Sequence, residues 1–106
     1  MDAQIKKGIL EMCILFLVSE EDIYGYELIK LLQHNFPEVN QSTFYAILRR
    51  LCKGGVTEIY SGKETNGPKR KYYRITEHGE IYLNALINDW GKLNEIIRTI
   101  GIKKVL

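Results

Sequence analysis

Apolar residues recur at helical spacing along most of this chain. The rhythm changes once, after Gly54-Gly55, to the shorter period of strands before the helical spacing returns. Across residues 4–18 two apolar stripes run side by side. Ile5, Ile9, Met12 and Phe16 make one, and Leu10, Cys13, Ile14 and Leu17 make the next. A helix with two adjacent stripes must bury two sides. One side can face its own domain; the other needs a further partner, such as another subunit. A second helix is predicted from Asp22 or Tyr24 to Asn35, with Leu28, Ile29, Leu32 and Phe36 turned inward and Pro37 as its stop. Gly25 in its first turn lowers helix propensity and points to close packing there. A third helix starts at Asn40, a residue type suited to capping. Phe44, Ile47, Leu48 and Leu51 follow at i, i+3, i+4, i+7, which marks a buried stripe. The opposite face carries Ser42, Tyr45, Ala46, Arg49 and Lys53, and Gly54-Gly55 ends the helix.

Residues 56–60 and 70–76 are rich in β-branched and aromatic side chains and read as two strands. In the second, Tyr73 and Ile75 share one face, and Arg70, Tyr72 and Arg74 share the other. Asn66-Gly67-Pro68 between the strands is turn chemistry. A last helix is predicted from Thr76, with Glu77 and Glu80 placed favourably in its first turn. Leu83, Leu86, Trp90, Leu93, Ile97 and Ile100 then form a heptad seam. At about 1.5 Å per residue, a helix of roughly 20 to 25 residues overhangs so small a domain, and an overhanging apolar seam wants a partner. A helix followed at once by a basic β-ribbon is the plan of a winged helix-turn-helix. The expected fold is therefore mainly α within the α+β class, with a two-stranded wing and a long C-terminal dimerisation helix. The expected division is a DNA-binding domain over 1–76 and a dimerisation helix over 77–106.

Charge sharpens this plan. From Arg49 to Arg74 lie eight basic and two acidic residues, a window of +6 in a chain whose total is +2, so the remainder carries −4. A modest overall charge thus hides a phosphate-binding face. The candidate DNA-contacting set is Gln41, Ser42, Thr43, Tyr45, Arg49 and Lys53 on the third helix, with Lys69, Arg70 and Lys71 on the wing. Hydroxyls suit phosphates and base edges, and Arg suits phosphate or guanine. The plainer readings are a solvated helix face and an edge strand blunted by lysines; the hairpin directly after the helix favours double-stranded DNA as the partner. Tyr24 and Tyr26, flanking Gly25, read as core and hydrogen-bonding residues rather than ligand contacts.

Other chemistry is sparse. The chain of 106 residues suits one domain with a small core. Its uninterrupted apolar run, residues 12–18, is too short to span a bilayer and lacks a small-residue cleavage site, so a buried helix in a cytoplasmic protein is expected. Cys13 and Cys52 do not make a disulfide framework. His34 and His78 have no metal-ligand spacing, and no Gly-rich phosphate loop, nucleophile elbow or paired carboxylate motif is present. No metal, cofactor or enzymatic activity is implied. Trp90 fills a dimer core on the plain reading. The other reading is a pocket near the dimer axis built from Trp90, Leu86, Leu93, Asp89 and Ile9. A large aromatic packs poorly against its symmetry mate, and Trp is the best face for a flat cation.

Taken together, these residues resemble the PadR family of bacterial transcriptional regulators. The points of resemblance are Tyr24-Gly25-Tyr26-Glu27, then Thr43-Phe44-Tyr45 with Leu48, Arg50 and Leu51, then Gly55, then the run from Arg70 to Thr76, and Gly79. The resemblance implies a winged helix-turn-helix homodimer that binds operator DNA, usually as a repressor. The single-helix tail is similar to that of the smaller members, some of which are multidrug sensors with an aromatic-lined cavity at the dimer centre and a tryptophan where Trp90 stands. Gln41, Gly54 and Thr57 depart from the family pattern, and a looser junction between helix and wing is expected from them. Fold alone leaves one rival, a winged-helix protein-interaction module that does not bind DNA.

Overall fold

Burial follows the expected stripes of the second and third helices closely, but in the first helix Leu15 and Val18, on neither expected stripe, are buried with Leu10 and Ile14. In the computed structural model, which describes residues 3–62 and 69–103, the elements run α1 (Ala3–Glu20), β1 (Ile23–Tyr24), α2 (Gly25–Asn35), α3 (Gln41–Lys53), β2 (Thr57–Ser61), β3 (Lys71–Ile75) and α4 (Glu77–Ile100). Leu10, Ile14, Leu15 and Val18 of α1, Leu28, Ile29 and Leu32 of α2, and Phe44, Ile47, Leu48 and Leu51 of α3 close one core with Val39, Val56, Tyr73 and Leu83. Of the two stripes expected on α1, the one that runs through Ile9, Met12 and Phe16 is left open at Phe16, which is 46% exposed. The side chain of Ile5 lies outside the described residues.

The expected two-stranded wing is part of a three-stranded antiparallel sheet in the order β1-β3-β2. Ile23 and Ile59 flank Tyr73, and Tyr24 and Tyr60 flank Tyr72. A strand of two residues is too short to show any period, so β1 is invisible in the hydrophobic pattern. It also moves the start of α2 to Gly25, where a Cβ would meet the Tyr73 ring at 3.0 Å; the close packing expected there is against the sheet. The Asn66-Gly67-Pro68 turn lies outside the described residues.

Asn40 holds the N-cap position of α3 in extended conformation, but its side chain makes no capping bond. Thr76, by contrast, caps α4 fully. Its Oγ1 accepts from the Gly79 amide at 3.0 Å and donates to the Gly55 carbonyl at 2.6 Å. Gly79 is packed so closely on Val56 that a Cβ would collide with the Val56 carbonyl. The loose junction expected from Thr57 is not what forms. Thr57 is buried, with Oγ1 3.1 Å from Cys52 Sγ, and the amides of Val56 and Thr76 bond the carbonyls of Leu51 and Val56. A hydroxyl placed where it meets a thiol binds the end of α3 to the sheet.

The first turns of α4 belong to this body through buried Gly79 and Leu83. Its distal part projects, and the described chain measures 56 × 30 × 20 Å. Leu93, Ile96 and Ile100 are 51%, 54% and 72% exposed.

Candidate nucleic-acid interface

α3 turns Phe44, Ile47, Leu48 and Leu51 into the core, which leaves Ser42, Thr43, Tyr45, Ala46, Arg49 and Lys53 on one outward face. That face has two edges, because residues three or four apart stack on the same side of a helix. Tyr45 and Arg49 form the edge toward the sheet: both lie near enough to the Tyr73 phenol to act on its titration. Burial is the main cause that pushes this phenol up, and the Arg49 charge opposes it. Thr43, Ala46 and Arg50 form the edge toward α1 and line a groove there. Gln41 is exposed but reaches back to α2, its Nε2 donating to Gln33 Oε1 at 3.2 Å.

Lys69, Arg70 and Lys71 are all exposed at the described end of the hairpin, and the pleat sends them in different directions. Lys71 shares the Tyr73 face, toward α3. Arg70 lies on the other face, its guanidinium 5.0 Å from the centre of the Tyr24 ring. That outer face carries a row of aromatics that come from three separate segments and that no local pattern joins. Tyr72 stacks on Tyr60 at 5.7 Å and approaches Tyr24 at 6.0 Å, and Tyr24 approaches Tyr26 at 6.1 Å. The reading of Tyr26 as a core residue is therefore corrected: it is 58% exposed, with Lys30 over its ring. Tyr60 donates to Asp22 at 2.6 Å, and this hydrogen bond is the main reason its phenol titrates above the ordinary tyrosine range.

Two cations of the basic window, though exposed, are already paired with carboxylates. Arg74 Nε donates to Glu58 at 2.6 Å and its guanidinium covers the Tyr60 ring. Arg50 Nη2 lies 3.2 Å from Glu11, whose other oxygen accepts from Tyr82 at 2.8 Å. Glu11 thus ties α1 to both α3 and α4, a role no local pattern discloses because its partners are distant in sequence.

Away from this face, Ile9, Leu86, Asp89, Trp90 and Leu93 come together with Gly8 and Met12 around a groove of about 210 Å³ between α1 and α4. A larger one of about 420 Å³ adjoins it through Met12 and Trp90 and is lined mainly by apolar side chains, Phe16, Leu17, Phe36 and Ile87 among them. Cys13 sits on its wall, and burial pushes that thiol above the ordinary range. Among the described residues no three His, Cys, Asp or Glu side chains gather as metal ligands, and no helix is long and apolar enough to cross a membrane.

The sequence profile of the PadR-like family of transcriptional regulators matches residues 14–85, from α1 through the start of α4. The chain belongs to that family. Its PadR-like body superposes on solved members of the family. A PadR-like transcriptional regulator of Bacillus cereus matches at a TM-score of 0.83 with 36% identity, over 96% of this chain and all of that one. A PadR-like transcription factor of Bacteroides fragilis matches at 0.78 with 35% identity, over 93% and 96%. An uncharacterised protein X of Lysinibacillus sphaericus is 41% identical over 98 residues, 90% of each chain. The PadR-like chain is thus a winged-helix transcriptional regulator, and the family is one of regulators, not enzymes.

Proposed function

We propose that this regulator binds a near-palindromic operator as a homodimer in a bacterial cytoplasm and acts as a repressor. The observation that carries the reading is the outward face of α3. It is a helix sealed to the core on one side, presenting Ser42, Thr43, Tyr45 and Arg49 on the other, beside a sheet that ends in Lys69, Arg70 and Lys71. α3 enters the major groove, with Gln41 and Lys53 at its ends, and the wing holds the flanking backbone. Residues 1–76 supply the DNA-binding domain. Residues 77–106 supply the dimerisation arm, with the open side of α1 as its second surface. The two copies of α3 then meet half-sites about one helical turn, roughly 34 Å, apart.

The grooves around Trp90 support a second part of the proposal. A small planar aromatic or cationic effector lodges against Trp90, Leu86, Leu93 and Ile9, with Asp89 adding attraction for a cation, and releases the operator.

The test is a binding titration of the full chain against duplex DNA from upstream of its own reading frame. Specific binding is expected to weaken steeply with salt, since each phosphate contact releases about 0.9 of a counterion. Replacing Lys69, Arg70 and Lys71 together with Ala is expected to weaken specific and non-specific binding alike and to flatten the salt slope. Arg49→Ala is expected to cost about 1–3 kcal/mol if Arg49 reads a base bidentately. No binding to any duplex would leave the protein-interaction module in its place.

A further inference from the structure

The groove between α1 and α3 shares Ser42 and Thr43 with the proposed DNA-contacting face and adds residues of α1 to it. It encloses about 610 Å³, and its charged and hydroxyl lining is Lys6, Lys7, Arg50, Ser42, Thr43 and Glu38. Two of the three cations already have carboxylates. Arg50 is held by Glu11 at 3.2 Å, and Lys6 lies 3.8 Å from Glu38, at the long end of ion-pair distance. Lys7 is exposed and makes no ion pair among the described residues.

We infer that Lys7, with Lys6 beside it, grips the DNA backbone on the side of the major groove opposite the wing. This rests on the DNA reading above. A helix lying in a groove about 12 Å wide has a phosphate ridge on either side of it. On the sheet side of α3, beyond Tyr45 and Arg49, the cation offered is Lys71. On the other side, beyond Thr43 and Arg50, stands the N-terminal part of α1. Ser42 and Thr43 belong both to the groove wall and to the face proposed to meet bases, so a strand seated on α3 runs along the mouth of this groove. Glu38 does not close the groove to a phosphate. Its side chain is half exposed, and it engages Lys6 only loosely. Glu11 is turned inward on Arg50 and Tyr82. The sequence window of positive charge cannot include these lysines, because folding alone brings the start of α1 beside α3.

The experiment measures salt-dependent affinity for the upstream duplex with four variants of the full chain: Lys7→Ala, Lys7→Glu, Arg49→Ala and Lys92→Ala. Lys92, exposed on the distal part of α4, removes the same charge away from the groove. Lys7→Ala is expected to weaken binding and to make the slope of log affinity against log salt shallower by about 0.9. Lys7→Glu is expected to weaken it further, and Lys92→Ala to leave the slope in place. Wild-type affinity and slope in both Lys7 variants, with Arg49→Ala still weakened, would overturn the inference and leave the DNA reading standing. Equal flattening by Lys92→Ala would also overturn it, by showing an effect of net charge rather than position. If Arg49→Ala too behaved as wild type, the reading of α3 would fall and this inference with it.

Discussion

The winged-helix body and the distal half of α4 are made of the same kinds of apolar residue and treat them in opposite ways. Ile14, Leu28, Phe44 and Leu48 are sealed to 1% exposure or less, whereas Leu93, Ile96 and Ile100 are 51%, 54% and 72% exposed. The difference does not lie in the quality of the helix. α4 is capped by Thr76 at its start and by Gly101, in left-handed conformation at φ 114, at its end. A helix satisfies its backbone by itself, but an apolar stripe is completed only by a neighbour, because its stabilisation comes from surface removed from water. The stripes of α2 and α3 find their neighbours within the body. The arm does not, and that is the physical ground for proposing a second copy of the chain against it.

Mutations in the two regions should separate them sharply. Phe44→Ala empties a fully buried site and is expected to cost about 3–5 kcal/mol in urea unfolding, whatever the protein concentration. Leu93→Glu is expected to act through concentration instead. It should raise the dissociation constant of the dimer at least about a hundredfold, roughly 2.8 kcal/mol at 1.4 per tenfold, and give monomers or insoluble protein. A wild-type chain that sediments as a monomer at micromolar concentration would erase the distinction and with it the dimer.

Trp90 stands where the two regions meet and is the only tryptophan in the chain. Its fluorescence therefore isolates the boundary. Planar apolar cations are expected to quench it saturably and to weaken operator binding by a coupling of about 1–3 kcal/mol, with DNA weakening their binding equally. Unchanged fluorescence and DNA affinity across a broad panel would return Trp90 to packing alone.

The smallest expected effect is at the joint itself. The Tyr82 phenol is raised above its ordinary value first by its hydrogen bond to Glu11 and then by partial burial. The folded value lies above the unfolded one of about 10, so the stabilisation is complete below that pH and is lost as pH rises through the folded value. Tyr82→Phe should flatten the alkaline fall in stability and leave unfolding at neutral pH nearly concentration-independent in its change. An alkaline limb of the same slope in the variant would assign that fall to other phenols, Tyr73 and Tyr60 among them.

By itself the sequence determined the four helices, the two strands of the hairpin and the inward faces of α2 and α3. The stripe of α3, the stop at Gly54-Gly55, the seam of α4 and the basic hairpin are all short-range periodicities, and short-range periodicity is what one chain displays. It also brought Ile9, Leu86, Asp89, Trp90 and Leu93 to mind as one set, since the seam and the stripe of α1 each needed a partner. Only the tertiary structure decided the pairings between distant segments. β1 exists because Ile23 and Tyr24 find β3. Thr57 fastens the junction it was expected to loosen because Cys52 lies across from it. Arg50 is bound by Glu11 from outside the window, so the +6, which already sets Glu58 against Arg74, overstates the charge offered to a phosphate. Lys6 and Lys7 join the face of α3 for the same reason in reverse. Charge and contact depend on distance in space, and folding sets that distance for residues whose separation along the chain says nothing about it.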